Sequence, residues 1–512
     1  MIQRRGPKNW ENVHVTERVR VKDLIDVDNS APGGVQLDWL GLLRQAARDL
    51  NALAAEAARS GERVRALGSA WALTDIAVTD GWLINTKLLN GCFDVPDHYF
   101  DASYPQDKRQ YVVVAQCGIS IGELNSHLEV TATVGFPRAL KTSGIGAGQT
   151  IAGAISGNTH GAAINFGATP DYVVGLQIVT GSGRSIWIER ESQPVLNEAF
   201  MSDVQATLIR DDDLLDAAIV SFGAFGIITA VVIETDPLYQ LAFAKVHDIT
   251  HADLKHKLDH FDYNDPSGLY HYEFIFDPYS RNQQAMEAVA ARVPFEPGHP
   301  APRPVWIVRS EKGFAPGDRA SPLFFRVPFM SAGRKTAIQF KQYREKCILG
   351  DVRCTPGQAF TATISYIEGN TESAIGVSID DAAAMMDIST GVVRSMKLPA
   401  MSQVRLVHPS RALLGFTYPG PKTAVFEFGL LNDSRYPKFE RNLTDALASA
   451  GVLYTMHWSK NSGVDPARLD AMYGADRITR WRNARRRAFD NDAALMKVFE
   501  NDHLVRAGLA GT

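Results

Sequence analysis

The sequence predicts an α+β protein of at least two domains, on three observations. At 512 residues the chain is longer than one ordinary core accommodates. Its first part mixes strand and helix patterns irregularly, with hairpins, rather than repeating the strand–helix unit of a doubly wound sheet. From about Pro237 to Ala450, several stretches alternate polar and apolar residues, as an antiparallel sheet with one covered face requires.

Leu40, Leu43, Ala47, Leu50, Leu53 and Ala54 recur at helical spacing and predict an amphipathic helix over 37–59 that stops at Gly61. Val64 to Leu67 predicts a strand running into the loop GSAWA at 68–72. Leu83 to Asn85 and Tyr111 to Gln116 predict strands, and Ile121 to Glu129 a helix. Asp171 to Thr180 and Ser185 to Glu189 predict a hairpin around Gly181, Ser182 and Gly183. Ala217 to Ile233 is uncharged throughout, yet it falls short of the ~20 apolar residues that span a bilayer. Gly223 and Gly226 interrupt it, so it predicts two buried pieces joined at a tight turn and no membrane span.

In the middle of the chain, Tyr270 to Phe276, Gln403 to Val407 and Thr423 to Gly429 predict strands by their alternation. Asn282 to Arg292 and Tyr436 to Ala450 read as helices between them. Pro294 to Pro304 holds five prolines and predicts a loop. From Pro466 onward a basic stretch, RITRWRNARRRAF, predicts a solvated surface helix with Trp481 packed inward.

Composition narrows the function classes. The chain is 45% hydrophobic and 21% charged, as a soluble globular protein is. A net charge of −4 offers no electrostatic reason to expect nucleic acid or an anionic membrane as partner. Cys92, Cys117, Cys347 and Cys354 form no CxxC pair and no zinc spacing, so no metal site is expected. Cys347 and Cys354 are close enough in sequence to be bridged, but buried reduced thiols are expected. The first residues are basic without an apolar core, so no secretion signal and a cytoplasmic setting are expected.

The chemistry-bearing stretch is Lys141 to Gly161, KTSGIGAGQTIAGAISGNTHG. Glycine permits positive φ and close approach of another group to the backbone. Hydroxyls and N–H groups supply donors for anionic oxygens, so the loop suits a diphosphate and the polar edge of a flat cofactor. Ile151, Ala152, Ala154 and Ile155 alternate with small residues, a packed rather than a solvated pattern. The nicotinamide fingerprint G-x-G-x-x-G follows no strand here, and GSGRSI at 181–186 lies in the hairpin and lacks its third glycine.

Four motifs in order resemble the vanillyl-alcohol-oxidase flavoprotein superfamily with its PCMH-type FAD-binding domain. RALGSAWA at 65–72 is similar to its first diphosphate loop, and 141–161 to its second flavin loop. FGAFGIIT at 222–229 is similar to the turn that closes the FAD-binding domain. HWSK at 457–460 resembles the HWxK signature of the aldonolactone oxidase (D-arabinono-1,4-lactone oxidase) and alditol oxidase branch. The resemblance implies an FAD-binding domain over 1–237, a substrate domain with a large antiparallel sheet flanked by helices over 238–450, and a segment at 451–512 that completes the flavin site.

On that resemblance the cofactor residues are Gly68, Ser69, Ala70 and Trp71 in the first loop. In the second they are Thr142, Ser143, Gly144, Gly146, Gly148, Gln149, Thr150, Gly153, Ala154, Ser156, Asn158, Thr159, His160 and Gly161, with Gly226, Ile227 and Lys460 beyond it. No Lys or Arg lies inside GSAWA and only Lys141 starts the second loop, so neutral N–H donors are expected to do most of the work of holding the two diphosphate charges. Many relatives attach FAD covalently through a histidine in the first loop, where this chain has Trp71, so noncovalent FAD is expected. His160 is the less favoured point of attachment.

The chemistry implied is oxidation of a CH–OH group of a sugar-derived alcohol or lactone by hydride transfer to flavin N5, with oxygen or another electron acceptor. The alternatives are a flavoprotein of the same fold acting on a secondary-metabolite alcohol, amine or sterol, and a non-catalytic flavin-binding protein. Arg405 is expected to orient the substrate oxygen. Lys460 is expected either to stabilise reduced flavin or, with a lowered pKa, to act as base. His457 is either an alternative base or a hydrogen-bond partner behind the reacting groups. Gln403 stands where the branch usually has glutamate. It keeps hydrogen-bonding capacity without charge, which predicts an Arg405 less neutralised and open to an anionic or carbonyl-bearing substrate.

Overall fold

The computed structural model describes residues 1–512 apart from 131–135, 145, 262–267, 281–283, 299–329, 347–349, 361–369, 432, 461–462 and 512. The helix Trp39–Ser60 starts where the Asp38 side chain accepts the N–H of Gly41, and ends at Gly61 in the left-handed region, φ 70°. Its apolar stripe, including Leu43, Leu50 and Leu53, is buried and packs on strands of two sheets. One sheet has the order Ile2–Arg4, Asp23–Asp28, Trp82–Leu88, Val64–Leu67. Its last three strands run parallel. The other has the order Ala206–Arg210, Ser185–Glu189, Val173–Val179, Ile227–Glu234, Val112–Gln116, Cys92–Asp94. The predicted hairpin is its antiparallel pair Val173–Val179 with Ser185–Glu189.

The uncharged stretch is the two pieces expected. The helix Asp212–Ala218 runs up to it, and the strand Ile227–Glu234 closes it. Between them Gly226 has φ 102°, and a Cβ there would lie 2.4 Å from the Val179 carbonyl oxygen. Among the described residues no helix is long and apolar enough to cross a membrane, and no group of His, Cys, Asp and Glu could hold a metal ion.

The middle of the chain builds a nine-stranded sheet. Its order is Val352–Cys354, Tyr239–Phe243, Gln284–Pro294, Leu269–Phe276, Ser402–Val407, Thr423–Leu431, Asn370–Ser378, Tyr454–Met456, with His247–Thr250 also on Gln284–Pro294. All of these pairings are antiparallel. The helices His251–Asp259, Ala382–Ser395 and Tyr436–Ser449 pack together beside it.

Two readings need correction. The segment expected as a helix over 282–292 is a strand from Gln284 onward; 281–283 lie outside the described residues. Its alanines, Met286 and Glu287 favour helix locally, but neighbouring strands on both sides supply ladder partners and override that preference. The basic stretch lies in the helix Pro466–Ala488, and Trp481 is buried against Phe222 and Phe225. Arg485 in it is fully buried rather than solvated; its Nε donates to the Ala224 carbonyl at 2.9 Å and its Nη1 pairs with Glu500 at 3.3 Å. Cys92, Cys117 and Cys354 are free thiols, and burial pushes Cys117 up to about 12. Cys347 and 299–304 of the proline-rich stretch lie outside the described residues.

Candidate active site

The two glycine-rich loops meet. A Cβ on Gly68 would sit 2.2 Å from Thr150 Oγ1, and one on Gly148 would sit 2.5 Å from the Trp71 ring. No side chain fits at either place, so the loops close on one another only as glycines. Ala70 has φ 58°, the left-handed geometry by which successive N–H groups converge on an anion. Thr150 caps the short helix Ile151–Ser156 by accepting the N–H of Gly153.

These loops form one wall of a cavity of about 520 Å³, and the large sheet forms the other. From the first loop Gly68, Ser69, Ala70 and Trp71 line it. From the second, Gly144, Gly146, Gln149, Thr150, Gly153, Ser156, Thr159 and His160 line it, joined by Gly226. All four expected catalytic residues, Gln403, Arg405, His457 and Lys460, reach the same space. Thr142, Ser143, Gly148, Ala154, Asn158, Gly161 and Ile227 do not line it. They build the wall from behind: Asn158 accepts the N–H of Phe416 at 2.8 Å, and a Cβ on Gly161 would meet the Ser143 carbonyl at 2.4 Å.

To the expected neutral donors the structure adds one charged group, Arg65. It lines the cavity but is itself buried. Its Nη1 donates to the Phe222 carbonyl at 2.6 Å, while Nε and Nη2 have no partner among the described residues. Burial, and then the nearby Arg485, lower its pKa to about 9. A buried guanidinium with open donors is costly unless an anion meets it. Arg65, the left-handed turn at Ala70 and the close-packed glycines together fit a dianionic diphosphate. The sequence held the signal: Arg65 is the one charged residue in the strand that feeds the loop.

The opposite wall is set by strand periodicity. Gln403 lies across from Glu427, and Arg405 across from Glu273, so all four project from one face of the sheet. Arg405 Nη1 meets Glu427 Oε2 at 2.9 Å, and Arg405 Nε is 3.8 Å from Glu273 Oε2. Lys460, brought in by the turn after the strand Tyr454–Met456, donates to Glu372 at 2.8 Å and also to Glu427. Gln403 Nε2 donates to Glu273 at 2.5 Å and to the Tyr343 hydroxyl at 2.5 Å.

This geometry revises three expectations. Arg405 is not left short of counter-charge by glutamine at 403, because Glu427 and Glu273 pair with it. Lys460 is no lowered-pKa base: burial pulls its pKa down, but Glu372 and Glu427 more than offset this and raise it. His457 is held well below the usual range, by burial first and then by Lys460 and His160. Its Nδ1 accepts the N–H of Ser459 at 3.1 Å, so the proton of the neutral ring sits on Nε2. Burial would raise the Glu427 carboxyl, but Arg405 and Lys460 hold it well below the ordinary range.

Sequence reasoning missed Glu273, Glu372, Glu427 and Tyr343. Glu273 and Glu427 were visible as lone charges in the alternating strands YHYEFIF and TAVFEFGLL. It also missed His14, which lines the cavity edge-on to Trp71 and is lowered to about 4 by burial and then by Lys460.

Residues 44–189 match the FAD binding domain family. This part of the chain is an FAD binding domain. Among curated relatives, L-gulono-1,4-lactone dehydrogenase of Mycobacterium tuberculosis is 31% identical over 255 residues, 49% of this chain and 48% of that protein. D-Arabinono-1,4-lactone oxidase of Yarrowia lipolytica is 27% identical over 262 residues, 50% of this chain and 42% of that one. The chain thus spans about half the length of the curated relatives it matches. Cholesterol oxidase from Brevibacterium sterolicum shares the fold along 99% of this chain and 97% of its own, with a TM-score of 0.67 at 13% identity. 6-Hydroxy-D-nicotine oxidase from Arthrobacter nicotinovorans does so over 92% and 90%, with a TM-score of 0.53 at 13% identity. The FAD domain and the oxidase fold expected from the motifs of this chain are thus both found.

Proposed function

We propose that the chain is an FAD-dependent oxidoreductase that oxidises a CH–OH group of a sugar-derived alcohol or lactone. The observation that carries this reading is the shared cavity: the glycine loops of the FAD binding domain face Arg405, Lys460, Gln403 and Glu427 across it. FAD, when bound, supplies the hydride acceptor.

The residues of the chain then have distinct tasks. Arg65 and the loop N–H groups hold the diphosphate. Arg405 offers donors to the substrate oxygen and steadies negative charge as it develops there. Lys460, kept cationic by its two carboxylates, adds a second fixed positive charge. Gln403, Glu372 and Tyr343 provide the hydrogen-bonding surface that a polyhydroxylated molecule needs and a sterol does not. The names of the two lactone-acting relatives support the same substrate class. On this reading residues 1–237 carry the cofactor, 238–450 the substrate, and 451–512 complete the site.

FAD is held noncovalently in this proposal, because Trp71 occupies the first-loop position and indole forms no such bond. Acid precipitation should release the yellow cofactor into solution; flavin that stays with the pellet would refute this part. The main test is anaerobic mixing of the FAD-loaded protein with aldonolactones, alditols, a sterol and an amine. Bleaching of the flavin absorbance by a lactone or alditol supports the proposal, and bleaching by the sterol or amine alone overturns it. Reoxidation by air against a quinone then identifies the acceptor.

A further inference from the structure

The polar wall interleaves the carboxylates Glu273, Glu372 and Glu427 with the cations Arg405 and Lys460. Glu273 also meets His271 Nε2 at 3.2 Å, and His457, His160 and His14 are kept neutral chiefly by burial. Glu427 is the centre of this arrangement. It is buried, and its Oε2 meets Arg405 Nη1 at 2.9 Å. Its Oε1 takes the Lys460 ammonium and lies 3.6 Å from His160 Nε2, on the second glycine loop. One carboxylate therefore pairs with both cations.

Two cations at the wall of a partly apolar cavity would otherwise bind a carboxylate-bearing molecule well, since guanidinium and ammonium are the usual partners of that group. A lactone is neutral, but its ring-opened acid is an anion of nearly the same size and hydroxyl pattern. Hydrogen bonds to hydroxyls do not tell the two apart; charge does.

We infer that Glu427 is a specificity-determining residue that occupies the two site cations and so rejects anionic hydroxy acids in favour of neutral lactones or polyols. This rests on the proposed oxidation of a CH–OH group but goes beyond it, because it assigns the discrimination to one carboxylate. Glu427→Gln keeps the shape of the side chain and removes its charge, leaving Arg405 and Lys460 partly free.

The probe is D-gluconate, titrated without turnover into the FAD-loaded protein and followed by the change in the flavin absorbance spectrum. Gluconate should bind Glu427→Gln at least about tenfold more tightly than the wild type, as removing a like-charge contact does. Glu427→Asp, which keeps the charge, should stay within about threefold of the wild type. The inference is overturned if Glu427→Gln, still holding FAD, gains no affinity, or if Glu427→Asp gains as much as Glu427→Gln. Should Glu427→Gln fail to hold FAD, the wild type decides: gluconate should bind it at least about tenfold more weakly than the neutral D-gluconamide, and equal affinity for the two overturns the inference. A wild type bleached by no lactone or polyol would sink the proposed function separately, since the gluconate measurement needs no reaction.

Discussion

Replacing Arg65 by methionine separates a cofactor-binding role from a structural one, because the two predict opposite effects on the empty protein. Only Nη1 has a protein partner, the Phe222 carbonyl at 2.6 Å, and Nε and Nη2 have none among the described residues. Arg485 adds like-charge repulsion, and burial dominates the fall of the Arg65 pKa to about 9. Without an anion, then, the guanidinium is a buried charge that Asp75 and Glu500 offset only in part, and methionine of similar length should leave the FAD-free protein as stable or more stable. With FAD, the charged hydrogen bonds to the diphosphate are lost, each contributing about 1.5–3 kcal/mol. One such bond corresponds to a dissociation constant about 10- to 150-fold weaker. Fluorescence titration of FAD into the stripped protein, paired with its thermal midpoint, measures both quantities. An FAD affinity within threefold of the wild type, or a marked fall in the midpoint of the stripped protein, would refute this reasoning.

Gly68→Ala should drive a methyl into Thr150 Oγ1, at 2.2 Å, and part the two loops. A loss of about 1–3 kcal/mol in stability is expected, with weaker FAD binding, read by thermal unfolding with and without FAD. Lys460 stays cationic beside Glu372 and Glu427, so the rate against pH should show no alkaline loss below the ordinary lysine range. A limb near neutrality that disappears in Lys460→Met would restore the base role to this residue. Burial pushes the Glu189 carboxyl up to about 7, although it accepts the N–H groups of Val195 and Leu196. The folded protein thus takes up this proton more readily than the unfolded chain. Its stabilising share is full below the ordinary glutamate value and lost as pH rises toward 7, a change on the order of 3 kcal/mol. Thermal midpoints of Glu189→Gln from pH 4.5 to 7.5 should fall less steeply than those of the wild type, and parallel curves would contradict the assignment.

Much of the fold was legible because its signals are local. The cap at Asp38 and stop at Gly61, the turn at 181–183 and the alternation in YHYEFIF depend on neighbours in sequence. The strand Gln284–Pro294 was not legible, because its alanine-rich residues are held extended by strands that come from elsewhere in the chain. In the site, the glycine loops were readable from composition, and HWSK together with Gln403 and Arg405 marked the residues of the opposite wall. The charge balance was not. Arg405 finds its counter-charge across strand registers, at Glu427 and Glu273, and no spacing along the chain reports which strands lie side by side. The seven expected cofactor residues that miss the cavity show the same limit, since a loop motif names a segment and not the side of it that faces inward.

The first glycine loop is stitched to the HWSK turn. The N–H of Leu73 donates to the Ser459 carbonyl at 2.8 Å, and the Thr74 hydroxyl donates to the Trp458 carbonyl across 384 positions of sequence. A nascent chain leaving the ribosome therefore displays half a binding pocket until the residues around 459 have emerged as well. Closure of so long a loop is slow, and the half-built wall exposes apolar surface in the meantime. Capture of the dinucleotide waits on that docking, and FAD supplied during refolding should speed it and suppress aggregation rather than seed the early collapse.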